Sequence, residues 1–80
     1  MEIYSNDGKK QSSVEILLNS KELDILVNAL QEFKAGCEQY KSENEGKKDL
    51  GRSHIHYQDY DKDSNGNYDL VFYIDFDREQ

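Results

Sequence analysis

Apolar and polar positions alternate in three stretches of the chain and repeat with a helical period in a fourth. Met1–Tyr4 is short and β-leaning, and Ser5-Asn6-Asp7-Gly8 follows it as a turn signal. In Ser13–Leu18, Val14, Ile16 and Leu18 alternate with Ser13, Glu15 and Leu17, which predicts a half-buried strand hairpinned to the first. Asn19 then opens a helix, with Glu22 three residues on to complete a capping box. Leu23, Leu26, Val27, Leu30, Phe33 and Cys37 recur at spacings of three or four and form one apolar stripe. Gly36 weakens the end of this helix, so fraying is expected between Glu38 and Lys41, followed by a charged loop to Gly51. Two further strands, His54–Tyr60 and Tyr68–Phe76, flank the turn-rich linker Asp61–Asn67.

The predicted architecture is α+β, in the order β-β-α-β-β. It is a two-layer domain over residues 1–80, with a four-stranded, mainly antiparallel sheet and one helix packed on one face. A single helix covers one side of such a sheet. With Ile3, Val14, Ile16, Ile55, Leu70, Phe72 and Ile74 turned to the helix, the opposite face presents Glu2, Tyr4, Glu15, Leu17, His54, His56, Gln58, Val71, Tyr73 and Asp75. A surface bearing tyrosine and imidazole suits partner contact, because aromatic anchors supply large area at low entropic cost. The ordinary alternative is a solvated sheet face on which Tyr and Val serve β-propensity alone.

Charge changes this picture most. The 80 residues carry a formal net charge of −7, of which residues 54–80 hold −5 and residues 1–53 only −2. Such a field repels nucleic acid and anionic membranes and accelerates encounter with a cationic protein. One cysteine, Cys37, permits no internal disulfide, and Met1–Lys10 has no apolar run of the secretory type, so a cytoplasmic location is expected.

Candidate chemistry is sparse. Asp61-x-Asp63-x-Asn65-Gly66-x-x-Asp69 follows the first nine positions of a calcium-binding EF-hand loop, but position twelve is Phe72 where a bidentate Glu belongs, and the flanks read as strands. A true EF-hand is therefore rejected, and a weaker calcium site on Asp61, Asp63, Asn65 and Asp69 stands as an alternative to a hairpin turn. His54 and His56 share one side of a strand, yet spacing signposts no third zinc ligand. Cys37 sits on the apolar stripe as a small hydrophobe. No nucleophile elbow, phosphate-binding glycine loop or H-E-x-x-H run is present, so the expectation is a binding protein without catalysis or cofactor.

His54-Ile55-His56-Tyr57-Gln58-Asp59-Tyr60, followed by Asp69-Leu70-Val71-Phe72-Tyr73-Ile74, resembles the family numbered thirty-two among the immunity proteins of bacterial polymorphic toxin systems. The layout of the whole chain is similar to that family, and the residue likeness is confined to these two strands. The resemblance implies a cytoplasmic antidote that binds and neutralises a cognate toxin; the acidic surface adds a nuclease as one candidate, since carboxylates can occupy places meant for phosphates. On the reading of the residues, the contact surface would comprise His54, His56, Gln58, Asp59, Asp61, Asp63, Asp69, Tyr73 and Asp75, facing a basic site. Two other functions compete: a calcium-responsive module using Asp61–Asp69, and self-association through edge strands or the open face.

Overall fold

The computed structural model describes residues 1–61 and 69–78. Its elements are β1 (Ile3–Tyr4), β2 (Lys10–Gln11), α1 (Ser20–Glu43), β3 (Arg52–His56) and β4 (Val71–Asp75), with 3₁₀ turns at Tyr57–Asp59 and Phe76–Arg78. The α+β class holds. The sheet differs from the expected single four-stranded one: β1 pairs with β2, β3 pairs with β4, and the two antiparallel ladders are separate among the described residues.

The divergence begins at the first turn. Ser5 N–H donates to the Lys9 carbonyl at 2.9 Å and Gly8 N–H to that of Ser5 at 2.9 Å, with Gly8 at φ 83°. That left-handed conformation is costly for residues with a Cβ, and Gly8 adopts it freely. The tight turn returns the chain at once, so Tyr4 meets Lys10 and Ile3 meets Gln11. Ser13–Leu18, the expected second strand, enters no ladder. Val14 and Ile16 are exposed and Leu17 is 98% exposed, so the alternation there has no buried face to serve.

The helix starts where the residues place it. Asn19 Oδ1 accepts from Glu22 N–H at 2.8 Å, and Glu22 Oε1 accepts from Asn19 N–H at 3.0 Å. These reciprocal bonds satisfy two donors that the first turn leaves unpaired. The other end runs past the expected fraying point to Glu43. Tyr40 explains this: its hydroxyl donates to the Leu50 carbonyl at 2.9 Å, and its ring lies 5.0 Å from that of Phe76. Asn44 then closes the last turn, donating from Nδ2 to the Tyr40 carbonyl at 2.8 Å. Tertiary contact thus outweighs the glycine at position 36.

The packed side of the helix keeps most of the expected stripe. Leu26, Leu30 and Phe33 are half-buried and Cys37 is buried, while Leu23 and Val27 remain 49% and 45% exposed. Near the start of the helix the sheltered positions are instead Ile25, half-buried, and Ala29, fully buried.

β3 starts two residues earlier than expected and ends at His56, so Gln58 and Asp59 belong to the 3₁₀ turn that leaves it. β4 ends at Asp75, and Phe76 opens the second turn. Tyr57 and Phe76 join Ala29 and Cys37 as the buried apolar residues among those described. Tyr57, 1% exposed, also donates its hydroxyl to the Glu22 carbonyl at 3.0 Å. The helix is therefore tied to the C-terminal hairpin at both ends, by Tyr57 at its start and by Tyr40 with Phe76 at its finish.

Candidate functional site

The register of the second ladder fixes its two faces. Ser53 pairs with Ile74 and Ile55 with Phe72, while Arg52 pairs with Asp75, His54 with Tyr73 and His56 with Val71. Side chains alternate along each strand, so the first set shares one face and the second the other. Ser53, Ile55, Phe72 and Ile74 are all half-buried while Arg52, His54 and Tyr73 are exposed, which marks the first face as the one toward α1. The expected separation of Ile55, Phe72 and Ile74 from His54, His56, Tyr73 and Asp75 is present in this hairpin. Glu2, Tyr4, Glu15 and Leu17, placed by the sequence on the same open face, belong to no strand of this sheet.

Three rings stand together on the open face. The His54 ring lies 5.2 Å from that of Tyr73 and 5.2 Å from that of His56. Tyr73 is 65% exposed. Polar neighbours hold both ends of the cluster: His56 Nδ1 and Asp69 Oδ2 share a hydrogen bond at 2.7 Å, and Arg52 Nε donates to Asp75 Oδ2 at 3.2 Å. Cross-strand packing of rings on a regular ladder limits their rotamers before any partner arrives, which lowers the entropic cost of docking.

Not every expected contact residue joins this face. Asp59 is exposed and Gln58 half-buried, both in the 3₁₀ turn. Asp61 is buried, its N–H donating to the Tyr57 carbonyl at 3.1 Å, which removes it from the expected contact surface. Asp63 and Asn65 lie outside the described residues. Asp69, the remaining member of the calcium-like run, is engaged by His56. Among the described residues no group of three His, Cys, Asp or Glu side chains is arranged to hold a metal ion. Arg52 is the residue the sequence reading missed. Its signal was position, two residues before His54 and hence on the same side of an extended strand.

A second charged cluster joins the chain's two ends. Glu2 accepts from the Tyr4 hydroxyl at 2.8 Å, pairs with Arg78 and lies 3.6 Å from Lys10 Nζ. The Tyr4 hydrogen bond, then the Arg78 charge, hold the Glu2 carboxyl below the usual glutamate range. The same bond raises the Tyr4 hydroxyl above the usual tyrosine value. In the adjoining turn, Ser5 donates to Asp7 and lowers its carboxyl, helped by Lys9 N–H.

The chain matches no protein-family model, no curated protein and no solved structure. Among the described residues no helix is long and apolar enough to cross a membrane.

Proposed function

We propose that this chain is the immunity component of a bacterial toxin system, a cytoplasmic protein that binds a cognate toxin and blocks it without catalysis or cofactor. The observation that carries the reading is the open face of the C-terminal hairpin. There an exposed Tyr73 stacks on His54, and the imidazole of His56 is fixed by Asp69. Aromatic anchors of this kind dominate binding energy at protein interfaces. The face belongs to the most acidic third of the chain, net −5 over residues 54–80, and the resemblance to immunity proteins falls on the same two strands. A nuclease is the toxin class whose cationic, phosphate-binding site best complements such a surface. Asp59, exposed at the end of the face, offers a carboxylate to it. Asp69 and Asp75 already serve His56 and Arg52, so they orient those side chains as well as contributing charge.

The test is to search the neighbouring reading frames for a cytotoxic domain and to measure its binding to this chain, and finding none removes the reading. A stoichiometric complex is expected, with association slowing steeply as salt rises. Tyr73→Ala should weaken the complex by about 30-fold or more, the loss typical of a central aromatic, with the melting temperature nearly unchanged because Tyr73 is exposed. Salt-independent association, or full affinity in the Tyr73→Ala variant, would remove the reading. Light scattering on the isolated chain separates this function from self-association through the same face.

A further inference from the structure

A cleft of about 470 Å³ runs between α1 and β3, walled on one side by Glu32, Phe33, Gly36 and Tyr40 and on the other by Arg52–Ile55. Four consecutive strand residues point alternately to opposite faces, so one cavity can touch all four only along the strand's edge. Cys37, Tyr60 and Phe76 complete its lining, Phe76 lying just beyond β4, and no residue of β4 itself touches it. The cleft is therefore open to the edge of β3 that faces away from β4.

The backbone at that edge is set by the ladder. Tyr57 N–H donates to the Leu70 carbonyl at 2.8 Å and Phe76 N–H to the Gly51 carbonyl at 3.0 Å. Antiparallel pairs alternate between bonded and non-bonded, so Ser53 and Ile55 exchange bonds with β4, while Arg52, His54 and His56 turn N–H and C=O outward. Among the described residues these outward groups have no strand to pair with. Gly36 keeps the opposite wall low: a Cβ there would meet nothing within 4 Å.

We propose that this cleft is a strand-accepting groove, in which an extended segment of a partner protein pairs with β3 and continues the sheet beneath α1. Main-chain pairing supplies affinity in such a mode and alternate side chains supply specificity. Charge selects the occupant. The chain carries −7, Glu32 stands on the helix wall, and Arg52 is already paired with Asp75, so the segment is cationic. A second copy of this chain would bring another −7 to the same edge. The proposal does not require the partner to be a toxin, and it uses the edge of the hairpin where the function above uses its open face.

The probe is a displayed library of random linear peptides, selected against the whole chain. Enriched peptides are expected to be rich in Lys and Arg, and to slow amide exchange at Arg52, His54 and His56 on binding. Gly36→Leu should weaken them at least about tenfold, a loss of 1.4 kcal/mol. Gly36→Ala, which improves the helix while filling far less of the cleft, should largely retain binding. N-methylation at every second peptide amide should abolish binding in one parity and spare it in the other. Tyr73→Ala should leave these peptides bound, which separates failure of the groove from failure of the open face. Four results overturn the proposal: no enriched peptide, enriched acidic peptides, full affinity in Gly36→Leu, or protection at Val71, Tyr73 and Asp75 instead. A dimer in which the outward β3 amides are already protected also overturns it, by assigning the edge to a second copy.

Discussion

The alternating segments Ser13–Leu18 and Val71–Asp75 meet different fates, and the N-terminal and C-terminal hairpins that do form differ sharply in how they are held. β3 and β4 form five consecutive pairs, with one face toward α1 and with Tyr57 and Phe76 buried at the ends of the ladder. β1 and β2 form two pairs, Tyr4 is exposed, and Glu2 is held by Arg78, Tyr4 and Lys10. Alternation specifies a strand only where another element buries one of its faces. The C-terminal hairpin has that element, and Ser13–Leu18 does not. The candidate site accordingly rests on the hairpin whose geometry is fixed by burial.

The contrast breaks most visibly at Tyr57. Removing its ring should cost about 3–5 kcal/mol, the usual penalty for a buried aromatic. That is a large share of the stability of any small domain. Tyr57→Ala should therefore lose the cooperative thermal transition by circular dichroism at moderate temperature. Tyr57→Phe, which removes only the bond to the Glu22 carbonyl, should cost about 1 kcal/mol. If Tyr57→Ala melts like the parent, the helix is not anchored to the hairpin by this residue, and the asymmetry between the hairpins fails with it.

Asn19 probes the junction between the two regions, because the cap separates the exposed N-terminal segment from the helix. Asn19→Ala should destabilise the chain by about 1 kcal/mol, measured by urea unfolding. Asn19→Asp should retain the cap. Local chemistry made this boundary readable from residues alone: a cap and its Glu22 partner are three positions apart and need nothing else. The two faces of β3–β4 were readable for a related reason, since period two and burial agree there. What was not legible depends on distant residues. The helix's extra turn comes from Leu50 and Phe76 meeting Tyr40, and the burial of Asp61 comes from the turn after Tyr57. The open edge of β3 was hidden because the expected sheet had four strands, and nothing in Ser13–Leu18 reveals that it would stay unpaired.

The smallest effect is expected at the N-terminal hairpin, and its sign can be worked out from both ends of one hydrogen bond. Glu2 has a lowered pKa, so its contribution is fully present above the usual glutamate value and is lost as pH falls through the folded-state value. Tyr4 has a raised pKa, so its contribution is present below the usual tyrosine value and is lost as pH rises through the folded-state value. The β1–β2 hairpin should therefore be best held across the neutral range and loosen at both extremes. Amide exchange at Ser5, bonded to the Lys9 carbonyl, and at Gln11, in the next bonded pair, would report it, while the bonded β3–β4 amides follow global stability. Glu2→Gln should flatten the acid limb at β1–β2 and shift the overall melting temperature little, since exposed ion pairs contribute little. Equal acid sensitivity in the two hairpins would mean that they open as one unit, and the distinction between a charge-held and a packing-held hairpin would be lost.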